Sequence, residues 1–350
     1  MILIPFILNI FILRQVKNVN WKLLLLILAI YLPLMAYGRE FTTIEGFTDD
    51  MEVYYKIYMD QISGGGLIFS NSKLEIVTPL IFKIIGILGD IGIKNLYLFM
   101  VAIQVSVLFL AIVEDKKSCL IFLVIIYSAP FVINSGVFFR QILAICLFLF
   151  SVKSYRHKIL REYFLPLLAV FTHVTTVTLL LFNFFGRILE NWKYITVVLY
   201  LMLALLFGAM IYQPFTYAMF IKLMLDFFPD QAGFFQGSAT ANPQKLSLTA
   251  FLFSTVIIFY GLIFKKFIQY KIIIVFLIVM ITCFAFGQIP FLASRAGLLV
   301  IVFSPILFLV MRSNKFDEWI LFLYPIYTLA AFSLRGSPFM RSHFGKILLL

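Results

Sequence analysis

Residues 136–182 read GVFFRQILAICLFLFSVKSYRHKILREYFLPLLAVFTHVTTVTLLLF. Two apolar segments flank the basic turn 151–161, and this pattern predicts a pair of membrane helices joined on one side of the bilayer. Arg140 stands at the head of the first segment, and His173 lies inside the second. Because an ionisable side chain in hydrocarbon is costly, each must face protein, water or an anionic ligand. This stretch therefore supplies the fold class and the first two candidate site residues.

The composition of the whole chain agrees with a membrane protein. Hydrophobic residues make up 63% of the 350 residues and charged residues 13%, whereas soluble domains are roughly 45–50% apolar and about 25% charged. The net charge of +12 comes from basic turns between apolar runs, which the positive-inside rule explains without nucleic acid. Three scattered cysteines without CxxC spacing argue against a disulfide framework and a metal site. We therefore expect an all-α polytopic bundle without a metal or other cofactor.

The hydropathy pattern predicts about 10–12 spans in one integral membrane domain, residues 1–350. The basic turns 153–161 and 265–271 should be cytoplasmic. Residues 38–75 should form an external loop with a short helix, and 213–245 an external loop or a re-entrant segment.

Three local predictions bear on the candidate site. Cys119–Ile133 is expected to be one continuous span, followed by an outer turn at Asn134–Phe139. The segment from Tyr163 through His173 to Phe182 is expected to be one helix. Ser294 and Arg295 are expected to mark another outer turn.

In this topology a group of charged residues gathers at the outer face, with His173 approaching from within the membrane. The group comprises Asp49, Asp50, Glu75, Arg140 and Arg295. Two guanidinium groups above apolar helices suit a diphosphate, because arginine offers forked donors that match phosphate oxygens. A neighbouring carboxylate or imidazole could accept a proton from an attacking hydroxyl. This combination suggests glycosyl transfer from a polyprenyl-diphosphate donor.

The order of these features resembles the EpsG and Wzy-like polysaccharide polymerases of bacterial inner membranes. An Asp followed by Tyr lies on an external segment (Asp50, Tyr54), and Glu75 opens a Pro- and Gly-containing apolar run. An Arg-Gln-x-x-Ala motif heads a helix (Arg140, Gln141), and an Ala-x-Phe-x-His motif ends at His173. A late Ser-Arg-Ala-Gly element spans residues 294–297.

The resemblance implies a multi-pass inner-membrane glycosyltransferase that uses undecaprenyl-diphosphate-linked oligosaccharides, and a chain-length regulator is a candidate further partner. Its product would be an O-antigen of lipopolysaccharide, a capsule or an exopolysaccharide. Arg140 and Arg295 would bind the donor diphosphate, and His173 or Asp50 would be the base. Glu75 and Tyr54 would orient the sugar, and Gln141 and Asp49 are the further substrate-binding candidates.

Other interpretations of the same residues stay open. Both arginines could be snorkelling anchors at the interface, His173 could be bonded within the core, and Asp50 or Glu75 could simply stabilise a helix N-terminus. A lipid-linked oligosaccharide flippase or other membrane carrier would also place such groups along its path. A carrier of this type usually has two related halves, and the Arg140 and His173 pair has no counterpart after residue 200. A membrane acyltransferase would leave the two arginines unexplained.

Overall fold

A computed structural model describes residues 2–41, 50–64, 76–151, 163–173, 175–212, 248–285, 290–312 and 315–335, together with Phe344 and Leu348. At Asp50, and at residues 248–250, 290–296, 315–316 and 332–335, only the backbone is described. Every regular element in this part of the chain is a helix. The chain divides into two compact units, Met1–Leu180 with Ser313–Leu350, and Leu181–Arg312. The predicted all-α membrane bundle is confirmed.

The first unit is built around helices α5 to α8. Its helices are α1 Leu3–Gln15, α2 Trp21–Gly38, α3 Asp50–Ile62, α4 Val77–Ile85, α5 Gly92–Ile112, α6 Lys116–Ile126, α7 Ala129–Val137, α8 Phe139–Phe148 and α9 Leu165–Thr172. Short 3₁₀ turns extend α4 and α8, at Gly86–Leu88 and Leu149–Ser151. Helix α5 packs against α2, α3, α6, α7 and α8, and α8 packs against α9. The side chains of α6 and α8 are almost entirely buried, so these short helices form the centre of the unit.

The other described helices follow along the chain. They are α10 Thr176–Glu190, α11 Ile195–Tyr212, α12 Leu248–Ile263, α13 Lys271–Ala285, α14 Pro290–Phe303, the 3₁₀ segment Ser304–Val310 and α15 Lys315–Arg335. In the second unit, α13 is the buried helix and packs against α11 and α14. Helix α15 belongs to the first unit, where it packs against α6 and α7.

Among the described residues, three helices, α2, α5 and α11, are long and apolar enough to cross a membrane, and the bent pair α6 and α7 would make a fourth. Six further described helical segments are apolar but only 10–17 residues long. The total of about 10–12 spans and the single domain over 1–350 stay predictions. Residues 213–245, expected to be an external loop or a re-entrant segment, lie outside the described residues.

The span expected at Cys119–Ile133 is not one continuous helix, because α6 and α7 meet at an angle of 65°, although the bent pair together is long and apolar enough for one crossing. Pro130 has no N–H, so the Ile126 carbonyl loses its intrahelical donor. The Tyr31 hydroxyl donates to that carbonyl instead, at 2.9 Å. Bending in the membrane is tolerated because this break is enclosed by protein.

The expected outer turn Asn134–Phe139 is also wrong, since α7 continues to Val137 and α8 begins at Phe139. Only Phe138 separates them, with φ −113° and ψ 49°. A turn of six residues is therefore replaced by a one-residue junction between two helices.

Two further local predictions are wrong. The segment through His173 is not one helix, because α9 ends at Thr172 and His173 has extended backbone angles (φ −154°, ψ 120°). The neighbouring sequence THVTT is rich in β-branched residues, which favour helix less than unbranched ones. Arg295 is not in a turn, because α14 begins at Pro290, where proline suits the first helical position.

The short helix expected in the external loop is confirmed as α3, Asp50–Ile62. The face of α3 that carries Met51, Tyr54 and Tyr58 is turned towards the protein. Met51 and Tyr58 are fully buried, and Tyr54 is 6% exposed. Tyr54 and Tyr58 both make edge contacts with the Phe82 ring of α4. Burial of the apolar ring surfaces is favourable and therefore determines which face of this helix packs against the protein.

Candidate functional site

The candidate site lies in the first unit, where α3 covers the first turn of α8. Arg140 is half-buried in that turn, and its Cζ atom lies 5.7 Å from the centre of the Tyr54 ring. Tyr54 is held in turn by an edge contact with Phe139, at 6.0 Å between ring centres. A guanidinium over a tyrosine face is attracted by the ring quadrupole. The structure therefore brings together two of the residues predicted to form the site.

The first turn of α8 begins beside the middle of α5. The carbonyl oxygen of Phe139 accepts a hydrogen bond from Gln104 at 3.2 Å, and Gln104 lies about 18 Å along α5 from Gly92 at 1.5 Å per residue. Phe139 is therefore level with the middle of α5, a helix long enough to span the membrane, and Arg140 is the next residue in the chain. An arginine at such a position is costly unless protein, water or a ligand receives it.

The N-terminus of α8 adds to the positive character of this place. Phe138 precedes the helix, and its side chain makes no capping hydrogen bond. The helix dipole adds partial positive charge at the same end. Together with the Arg140 guanidinium, this end of α8 is suited to a phosphate oxygen. Gln141, also in this first turn, is buried.

His173 directly follows α9, the helix that packs against α8. It is 7% exposed. Its Nδ1 atom accepts a hydrogen bond from the Thr175 backbone N–H at 3.3 Å and lies 3.1 Å from the Thr175 hydroxyl oxygen. Since Nδ1 is an acceptor, the proton of a neutral imidazole is on Nε2. His173 can thus offer an N–H donor from Nε2.

Helix α3 is anchored at the turn before α5. The Tyr55 hydroxyl donates to Asp90 Oδ1 at 2.8 Å, and the Gly92 N–H donates to the same oxygen at 2.8 Å. These two bonds lower the pKa of the Asp90 carboxyl, the backbone donor most. The hydrogen bond to Asp90 is also the main cause that raises the pKa of Tyr55. The Tyr58 hydroxyl donates to the Gly89 carbonyl in addition.

A second arginine lies beside the site and was not predicted from the sequence. Arg39, directly after α2, is 3% exposed, and its guanidinium carbon lies 4.8 Å from the ring centres of Tyr97 and Phe344. Gly136 of α7 makes room for it, because a Cβ there would overlap the guanidinium and lie 2.9 Å from Tyr97. The sequence GVFF before Arg140 does not indicate that Gly136 contacts Arg39, which is about a hundred residues earlier in the chain.

The other predicted site residues are described only in part or not at all. Asp50 is the first residue of α3, and Arg295 is the sixth of α14 in the second unit; only their backbone is described. Asp49 and Glu75 lie outside the described residues. Their roles, and the absence of a metal, stay predictions. Among the described residues no group of three His, Cys, Asp or Glu side chains could hold a metal ion.

Comparison with known protein families shows which family the chain belongs to. A family model described as the EpsG family matches residues 43–339, most of the chain. The chain belongs to the EpsG family. No curated protein and no solved structure matches it. The resemblance deduced from the motifs is therefore confirmed.

The EpsG match covers every predicted site residue, from Asp49 to Arg295, and leaves out α1, α2 and Arg39. Membership of this family, which is related to the Wzy-like polymerases, supports a membrane glycan polymerase-like function. Helices able to cross a membrane fit that assignment.

Proposed function

We propose that this EpsG-family protein is a polysaccharide polymerase of the bacterial inner membrane. It transfers a growing glycan from undecaprenyl diphosphate to an undecaprenyl-diphosphate-linked repeat at the outer face. The observation that carries the proposal is the position of Arg140, beside the middle of α5, beneath the Tyr54 ring and in the first turn of α8. A cation kept at such a depth, at a helix end that favours anions, is suited to a diphosphate.

In the proposed reaction a hydroxyl oxygen of the acceptor repeat attacks the anomeric carbon of the donor glycan. The bond between that carbon and the phosphate oxygen breaks, and undecaprenyl diphosphate leaves with the electron pair. Negative charge develops on the leaving oxygen, where arginine donors stabilise it most effectively. Arg140 fills this role, and we assign the same role to Arg295.

The hydrogen bond from Thr175 bears on the choice of the base. With Nδ1 occupied as an acceptor, the Nε2 atom of a neutral His173 carries a proton and cannot take another. We therefore propose that His173 donates from Nε2 to an oxygen of the diphosphate or sugar. The proton of the attacking hydroxyl then goes to Asp50, whose carboxylate is the other candidate.

Tyr54 has a different role from the sugar binding expected at first. Because its ring is nearly buried and packs on Arg140, we propose that it fixes the direction of the guanidinium. Gln141, which is 3% exposed, is by the same argument not assigned to the sugar, and sugar binding is left to Asp49 and Glu75. The product class, whether O-antigen, capsule or exopolysaccharide, and the chain-length regulator are further parts of the proposal.

A flippase is the second candidate, and the bend between α6 and α7 favours it, because broken helices line the paths of many transporters. The two candidates differ in what happens to a single repeat. The protein is reconstituted in liposomes that contain lipid-linked single repeats, extracted from a strain without this gene. A polymerase produces longer lipid-linked chains and one undecaprenyl diphosphate for each bond formed.

Arg140→Ala protein with an unchanged melting temperature serves as the control and is expected to leave the repeats single. If the wild-type protein also leaves them single but changes their accessibility to an external glycosidase, the flippase replaces the polymerase. If neither joining nor translocation occurs, both proposals are contradicted.

A further inference from the structure

The junction between α7 and α8 needs support from elsewhere in the protein. Phe138 is the only residue between the two helices, and its side chain makes no capping hydrogen bond at the start of α8. A one-residue junction interrupts the helical hydrogen bonds of the last carbonyl groups of α7, whereas the Phe139 carbonyl, in the first turn of α8, can still accept from within its own helix. The direction in which α8 leaves this junction sets the direction of Arg140.

Gln104 provides that support from the middle of α5. Its Nε2 atom donates to the Ser135 carbonyl at 3.1 Å and to the Phe139 carbonyl at 3.2 Å. Ser135 belongs to α7, and Phe139 is the first residue of α8. One amide group therefore joins the two helices across the junction, next to Arg140. Because both partners are acceptors, they also determine which end of the amide is the NH₂ group.

The contribution of Gln104 to the stability of the fold does not by itself explain this arrangement. Gln104 is fully buried, and its Oε1 atom has no hydrogen-bond partner among the residues that the structure describes. A buried acceptor without a partner costs roughly 1–3 kcal/mol. An apolar side chain of the same size would avoid that cost but could not hold the two carbonyl groups.

We infer that Gln104 is a positioning residue that fixes the first turn of α8 and thereby the Arg140 guanidinium. The inference rests on the proposed role of Arg140 in binding the donor diphosphate. Gln104 itself need not touch the substrate. Gln104 is surrounded in the sequence by apolar residues of α5, so no motif marks it.

The first test measures position directly and does not depend on activity. Arg140→Cys is introduced with and without Gln104→Met, and its rate of reaction with a small thiol reagent is measured in membranes. The native cysteines Cys119, Cys146 and Cys283 are buried, which keeps the background low. Loss of the amide is expected to change the rate at least threefold. Lys56→Cys, on the exposed side of α3, is the control site and should react at the same rate in both backgrounds.

The second test measures whether Gln104 acts through Arg140. Gln104→Met is expected to lower polymer yield about tenfold or more, because small displacements of a positioning group have large effects on rate. In an Arg140→Lys background the same change is expected to have little further effect, since residues that act through one another are not additive. Ser254→Ala, which removes a buried hydroxyl in the second unit, is the control and should leave the yield unchanged.

The outcomes separate the two proposals. An unchanged labelling rate, or a full additional loss in the Arg140→Lys background, would overturn the role of Gln104. A changed labelling rate with polymer yield insensitive to every Arg140 variant would retain the positioning role and contradict the proposed function. If Gln104→Met protein does not accumulate, Gln104→Asn, which keeps the amide on a side chain one methylene shorter, is tested in the same way and should show the same coupling.

Discussion

The Cζ atom of Arg140 lies 5.7 Å from the centre of the Tyr54 ring. The two residues belong to different parts of the chain: Arg140 to the buried helix α8 and Tyr54 to α3, the helix expected in an external loop. Tyr54 also packs edge-on against Phe82 and Phe139. Helix α3 is thus part of the candidate site and places an aromatic face against the guanidinium of Arg140.

Replacing Tyr54 tests this contact. Tyr54→Phe keeps the ring beside the guanidinium, whereas Tyr54→Leu removes it, and a cation over a ring is worth about 0.5–2 kcal/mol. Polymer yield in cells is therefore expected to be higher with Phe than with Leu, by roughly twofold to thirtyfold at 1.36 kcal/mol per factor of ten. Equal losses with Phe and Leu at equal protein levels would show that the ring is not what matters.

The bond between Tyr55 and Asp90 predicts how the attachment of α3 depends on pH. The pKa of Asp90 is lower in the folded protein, so its contribution to stability is present above its ordinary pKa of roughly 3.9 and is lost as the pH falls through the lowered value. Tyr55 has a raised pKa, so its contribution is present below its ordinary pKa of about 10 and is lost only above it. The attachment should be constant between these limits.

Hydrogen exchange of the α3 amides in lipid nanodiscs, compared between wild type and Asp90→Asn at each pH, checks this. Wild type should be better protected at pH 6, and the difference should begin to shrink below about pH 4 and disappear only once the pH has fallen through the lowered pKa of Asp90. A difference that persists in acid would mean that the Asp90 carboxylate does not anchor the helix.

Gly136→Ala should destabilise the protein, because its new Cβ would overlap the Arg39 guanidinium and lie 2.9 Å from Tyr97. Inserting a methyl group into a packed site typically costs about 1–3 kcal/mol, so the melting temperature in detergent should fall. Gly208→Ala in α11 is the matched control, since nothing lies within 4 Å of its Cβ position. It should melt at the wild-type temperature or higher, because alanine favours helix. Identical melting of both variants would contradict the close packing at Gly136.

His173→Gln distinguishes a donor from a base. A glutamine amide can still donate a hydrogen bond, but it cannot accept a proton at neutral pH. If His173 is a donor, as its bond with Thr175 implies, His173→Gln should retain at least about tenfold more polymer than His173→Ala, the scale of a hydrogen bond to a charged group. If Gln and Ala are equally inactive and equally abundant, the base is His173 after all.

Helix type and position were largely predictable from the sequence. The second, fifth and eleventh helices follow from long apolar runs, since every backbone group in a membrane must be satisfied within the segment. The breaks at Ser128 and His173 were missed because they depend on tertiary partners. Pro130 alone could have indicated the first break, but the Tyr31 hydroxyl that stabilises it is about a hundred residues away.

The candidate site was predictable only where a charged residue interrupts an apolar run. Arg140 and His173 stood out for this reason. Gln104 could have been found by the same rule applied to uncharged polar residues within spans. Arg39 lies just after a helix in a polar context, and its contacts with Tyr97 and Phe344 join distant segments. No local pattern reveals such a contact.

The most direct test of the central claim is the length of the surface glycan in cells that carry Arg140→Ala in place of the native protein. Protein level in the membrane is confirmed by blotting, and Arg14→Ala, an exposed arginine at the end of α1, is the matched control. We predict that the ladder of chain lengths collapses to a single repeat with Arg140→Ala and stays normal with Arg14→Ala. A normal ladder with Arg140→Ala would contradict the account, because the diphosphate would then be bound without the residue on which the site is built.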